Sequence, residues 1–235
     1  GVISGRQDRI ARAIPAPDAD EVESGLARVG REYLSQGITS LQDVSWTNGW
    51  RHWELWQRWV GRAGVFPRVC MLVGTESLAR FRDARLRTGS GDERLRLGAL
   101  KLALDASTGS AAPPQATVDE LALQAHAAGF QLALHVSDLP MLETALAAIG
   151  FVRRNSAAAV RSRSAVAGPD FRLEHCAVCP PGLLPRLKAS GAMVVTQPAF
   201  LRRYGDAVLE DALPNQRDWF WPVAAWLAAG VEVAF

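Results

Sequence analysis

Gly98-Ala99-Leu100-Lys101-Leu102-Ala103-Leu104-Asp105 is an apolar run interrupted by a single cation. A strand with one wet face alternates apolar and polar residues. A near-continuous apolar run marks a strand covered on both faces, as in a parallel sheet packed between helices. The strand here reads as 97–104, and six other segments read the same way: 38–44, 68–73, 131–136, 171–177, 192–197 and 231–235. Helical segments lie between most of them. One covers 18–36, with Asp18 and Glu21 spaced as a capping box and Gly37 as its stop. Others cover 46–60 (rich in Trp), 76–86, 117–128 (a Thr117/Glu120 capping box, stopped by Gly129), 140–149 behind Pro140, 181–190 stopped by Gly191, and 222–229 stopped by Gly230. A looser Arg- and Ser-rich stretch spans 152–168. Seven βα units predict an α/β fold: a (β/α)8 TIM barrel lacking one unit, or a large doubly wound sheet. No Gly-x-Gly-x-x-Gly follows any strand, which argues against dinucleotide binding.

Composition narrows the class. Of 235 residues, 49 % are hydrophobic and 21 % charged, which excludes a disordered chain. No apolar run is long enough to span a bilayer. Lys+Arg (26) nearly balance Asp+Glu (24), so nothing draws the chain to nucleic acid or to anionic lipid. Three cysteines are too few for a disulfide framework and fit a reducing, cytoplasmic setting. The chain stops inside an apolar strand and opens without one. Residues 1–235 therefore read as a single partial barrel domain from inside a longer protein.

Three polar residues stand in or at the ends of these apolar strands: Lys101, His135 and His175. In a parallel barrel, functional groups gather at the carboxyl ends of the strands, so three consecutive strands would aim these side chains at one pocket. A single strand histidine is more often a hydrogen-bonded core or rim residue. A lysine in a buried strand is harder to assign to structure alone, because desolvation favours its neutral amine. Such an amine can act as a base, form a Schiff base, or react with carbon dioxide to give a carbamate that bridges two metal ions. With two imidazoles beside it, a divalent metal centre, zinc by donor type, is the leading reading.

Weaker features have plainer readings. Trp46, Trp50, Trp53, Trp56 and Trp59 recur at helical spacing and read as core packing, although Trp46, next to a strand end, is also a pocket candidate. Cys176-Ala-Val-Cys179 has redox or zinc spacing but stands alone, and two small buried residues is the simpler account. Arg153, Arg154, Arg161 and Arg163 read as a solvated loop, Arg172 and Glu174 as a structural pair, and His52 and His126 as surface residues.

Several stretches together resemble the amidohydrolase superfamily, in particular its YtcJ-like or N-substituted formamide deformylase-like branch. They are Gly37-Ile-Thr-Ser-Leu-Gln-Asp43, Leu100-Lys-Leu-Ala-Leu-Asp105 with Ser107 and Gly109, and Ala125-His-Ala-Ala-Gly129 leading into Leu134-His135. They continue through Arg172-Leu-Glu-His175, Gln197-Pro198 and Ala229-Gly-Val-Glu-Val-Ala-Phe235. The resemblance implies that strands two to eight of the barrel are present. Lys101, often carboxylated in the family, would fall on strand four, and the metal-binding His135 and His175 on strands five and six. It implies one or two divalent ions, a His-x-His pair upstream of Gly1 and a catalytic acid/base aspartate just after Phe235. Asp105, Asp138 and Gln197 become candidates for the substrate pocket. The chain departs from the family at His135-Val-Ser-Asp138, which is one residue short, at Asp105-Ala-Ser107, and at Ala199-Phe200, where a histidine often follows Gln-Pro.

The expectation is a metal-dependent hydrolase of carbon–nitrogen bonds other than peptide bonds, acting on a small molecule, with residues 1–235 inactive alone and a homodimer left open. A Schiff-base lyase or aldolase using Lys101, or a non-catalytic barrel, are the alternatives.

Overall fold

The computed structural model describes residues 14–15, 17–62, 66–105, 113–156 and 168–235. The arginine-rich stretch beyond 156, including Arg161 and Arg163, and the pair Ser107 and Gly109 lie outside the described residues.

Helix α1 (Ala19–Ser35) forms where both ends are marked. The Asp18 carboxylate accepts from the Glu21 N–H at 2.8 Å, and the Glu21 carboxylate accepts from the Asp18 N–H at 3.1 Å, which satisfies two donors that a helix start leaves open. The second capping box does not form. Helix α4 (Gln115–Ala127) starts behind Pro114, whose carbonyl accepts from the N–H groups of Thr117 and Val118. The proline sets the entry angle, so the helix begins two residues early and Thr117 lies within its first turn.

Seven strands make one sheet: β1 (Ser40–Asp43), β2 (Arg68–Gly74), β3 (Leu95–Leu102), β4 (Leu132–Val136), β5 (Phe171–His175), β6 (Met193–Val195) and β7 (Val233–Ala234). Every pair is parallel and the spatial order is the chain order. A doubly wound sheet reverses its order at a switch point; this one never does, which removes the doubly wound alternative. The sheet curls. Arg172 on β5 donates to the Gln42 side-chain carbonyl on β1 at 2.6 Å across its concave side. The result is a seven-stranded parallel half-barrel, consistent with an incomplete TIM barrel.

The remaining helices are α2 (Trp50–Arg62), α3 (Leu78–Asp83), α5 (Leu139–Asn155), α6 (Leu184–Ser190), α7 (Pro198–Asp211) and α8 (Val223–Ala228). The convex face of the sheet packs under α2 to α6 and α8, while among the described residues α7 adds no side chain to that core. Leu97, Leu100, Leu132, Leu134 and Leu173 join Ala122, Leu142 and Ile149 in one core cluster. Trp53 and Trp59 are buried in it, as their spacing predicts, while Trp46 precedes the helix and is 59 % exposed. His126, expected on the surface, is buried with its ring stacked on Phe171. The corresponding face of α4 turns inward because its small neighbours Ala122 and Ala125 let it approach the sheet. Helix α7 went unread in the sequence; its signal is Pro198 at the first helical position. Among the described residues no helix is long and apolar enough to cross a membrane.

One irregularity matters for the site. Met71 pairs with Leu97, but Val73 pairs with Leu100, so β3 carries one extra residue opposite β2. Leu97 faces the helices. Strict alternation from it would send Lys101 to that same apolar face. The bulge resets the parity, so that Leu100 and Leu102 face the helices while Ala99 joins Leu72 and Ala133 in a separate cluster on the concave side. Bulges beside functional sites commonly re-aim a side chain in this way.

Candidate functional site

Lys101, His135 and His175 come together at the carboxyl ends of β3, β4 and β5. Lys101 faces the concave side through the bulge and is only 4 % exposed. Burial pulls its ammonium down to about 8; the Glu174 carboxylate opposes this shift and the Arg172 guanidinium adds to it. His135 is pushed down to about 4, first by burial and then by the cationic forms of His175 and Lys101. At neutral pH its imidazole is therefore uncharged, the form that binds metal.

His175 reaches the site by breaking the strand pattern. His135 pairs with Glu174, and Val136 with His175. Alternation therefore puts Glu174 beside His135 and sends His175 the other way, with the outward-facing Val136. At the strand end the Cys176 N–H donates to the Glu174 carbonyl at 2.9 Å around a His175 φ of +70°, and Cys176 follows at +47°. This γ-turn is a strained conformation for residues other than glycine, costing on the order of 1–3 kcal/mol per residue. It swings the imidazole back, so that the His135 and His175 ring centroids lie 4.6 Å apart at 71°.

The rest of the site is polar. The His175 Nδ1 lies 2.7 Å from the Gln197 Oε1, and the Phe200 ring stands 6.3 Å from the His175 ring at 64°. Below, Arg172 donates to Glu174 at 2.7 Å, the structural pair expected from the sequence, and to Gln42. Lys101, His175, Gln197, Glu174, Arg172 and Gln42 line one cavity of about 750 Å³ on the concave side of the sheet; His135 is not among its lining residues and joins the group through its ring contact with His175. Gln42 was not singled out in the sequence, although a polar side chain inside a strand is the same signal that marks Lys101.

A family model for the amidohydrolase family matches residues 1–235, the whole chain. The chain belongs to the amidohydrolase family. Among curated proteins, none matches it at a significant level. Among solved structures, an uncharacterized metal-dependent hydrolase from Pyrococcus furiosus superposes with a TM-score of 0.74 at 15 % identity, over 97 % of this chain and 48 % of that one. One from Pyrococcus horikoshii gives 0.76 at 16 %, over 97 % and 47 %. A guanine deaminase from C. acetobutylicum gives 0.52 at 12 %, over 92 % and 50 %. At these identities the likeness establishes the fold, and the chain spans about half the length of the structures it matches.

The other sequence candidates of this amidohydrolase-family chain fall away from the cavity. Asp138 caps α5, its carboxylate accepting from the Met141 N–H at 3.0 Å. Trp46 and Asp105 are exposed and outside the cavity lining. Trp46 lends only its backbone: its carbonyl lies so close to Gly74 that a Cβ there would sit 2.1 Å from the oxygen. Cys176 and Cys179 are buried free thiols. Among the described residues, no three His, Cys, Asp or Glu side chains are grouped for a metal ion. The donor set that does converge is two imidazoles and a desolvated amine. It fits a divalent ion as part of a coordination shell, since one ring is neutral and the other has a nitrogen engaged by an outer partner.

Proposed function

We propose that the intact protein is a metal-dependent hydrolase of carbon–nitrogen bonds in small non-peptide amides, and that this chain forms strands two to eight of its barrel. One observation carries the reading: two imidazoles 4.6 Å apart beside a buried lysine, on three consecutive parallel strands. His135 and His175 would hold a divalent ion, zinc by donor type. Lys101, once carboxylated, would bridge to a second ion; as the free amine it leaves a single-ion centre. A bound divalent ion supplies an acidified water and polarises a carbonyl.

The chain's own groups set the stage for that chemistry. The neutral His135 presents a lone pair without first losing a proton. The Arg172–Glu174 pair places opposite charges beneath the cup, and the Glu174 carboxylate faces the Lys101 amine. The proton for the leaving amine would come from an aspartate beyond Phe235, which the family resemblance implies.

Elemental analysis of the intact protein tests the reading. Stoichiometric divalent metal is expected, and its loss in His135→Ala and in His175→Ala. Intact wild-type protein that takes up no divalent ion from a chelator-buffered solution overturns it. The depressed Lys101 also favours a second reading, an amine nucleophile forming a Schiff base with a carbonyl substrate. Borohydride trapping of substrate on Lys101 in the metal-free protein would select that reading.

A further inference from the structure

We propose that Gln197 is a positioning residue for His175: its side-chain carbonyl holds the Nδ1 proton and so leaves the lone pair on Nε2, in a ring that stands 4.6 Å from that of His135. The inference rests on the metal reading above and deepens it.

The geometry gives the direction of the bond. A neutral imidazole has one donor and one acceptor nitrogen, and a side-chain carbonyl can only accept. With the Gln197 Oε1 at 2.7 Å, the proton belongs on Nδ1. That leaves Nε2 unprotonated, the nitrogen a metal ion requires.

The anchor sits at the start of a helix. Gln197 is the N-cap residue of α7, Pro198 locks the first helical position behind it, and its main-chain carbonyl accepts from the Phe200 N–H at 3.0 Å. The same first turn brings the Phe200 ring to 6.3 Å from that of His175, edge to face. This support is needed because His175 sits in a strained turn whose backbone alone does not fix the ring. Gln197 was expected to contact substrate. Its carbonyl oxygen is instead committed to the histidine, and only its amide NH2 is left for the cavity.

Two measurements on the intact protein test this. Long-range 15N–1H correlation spectra of the metal-free wild type are expected to show the His175 proton on Nδ1; Gln197→Leu should shift it toward Nε2. Zinc titration against a chromophoric chelator is expected to show affinity about 10–100-fold weaker in Gln197→Leu, the usual cost of losing a ligand's outer partner. Gln197→Glu, which keeps an acceptor oxygen in place, should restore it, and a purely structural role would not produce that rescue. A wild-type proton found on Nε2, or Gln197→Leu binding zinc as tightly as wild type, overturns the inference. If Gln197→Leu does not fold, the wild-type spectrum and Gln197→Glu still decide. If the wild type binds no zinc while its proton sits on Nδ1, the metal reading fails and the positioning stands.

Discussion

The two faces of the parallel sheet are built from opposite chemistry. On the convex face Leu97, Leu100, Leu132, Leu134 and Leu173 are buried against helices. On the concave face Gln42, Lys101, Arg172 and Glu174 line a cavity, and among the described residues the buried apolar cluster there is the small set Leu72, Ala99 and Ala133. Because side chains alternate along a strand, one segment carries the scaffold at one parity and the site at the other. Leu134 and His135 are neighbours in sequence and serve different ends. The comparison also shows where parity is broken: at the β3 bulge and at the β5 γ-turn, each of which delivers a candidate ligand.

The sharpest division is expected at Leu134. Leu134→Ala removes a fully buried side chain from the convex core and should cost about 2–5 kcal/mol in urea unfolding, with zinc affinity of the intact protein unchanged. A cost below about 1 kcal/mol would mean that the helix-covered face is not the scaffold.

Lys101 probes the concave face through pH. Its folded value is about 8 against 10.5 in the unfolded chain. Between those values the unfolded chain holds the proton and the folded chain does not, so metal-free wild type gains stability as pH rises through that window, on the order of 3 kcal/mol in all. Lys101→Met, which has no such proton, should be the more stable protein at pH 7, with the gap closing as the window is crossed. A constant gap between the two unfolding curves from pH 7 to 10.5 would place the amine in water.

Asp138 should give the smallest effect. As an N-cap it contributes about 1 kcal/mol, lost in Asp138→Ala, while zinc affinity stays at the wild-type level. A tenfold drop in affinity would return Asp138 to the pocket, where the family resemblance put it.

Much of this was legible along the chain. The seven apolar runs are the seven strands, and in β2, β3 and β4 near-continuous burial leaves a compositional mark that needs no partner to be seen. The Asp18/Glu21 box closes because all its partners lie within four residues. The same pattern at Thr117/Glu120 fails because Pro114 nearby starts the helix first. Helix boundaries, the burial of His126 and the commitment of Gln197 to His175 depend on contacts from distant segments, and no local pattern encodes them.

The sequence by itself determined that the strands are parallel, and that a lysine and two histidines stand at or near the ends of three consecutive ones, since both statements concern residue type and spacing. Only the tertiary structure decided which way those side chains point. The direction of Lys101 depends on one extra residue opposite β2, and that of His175 on a turn whose strain the packing around β5 and α7 must hold. Each is a register between segments far apart in the chain, which pairing creates and no single segment contains.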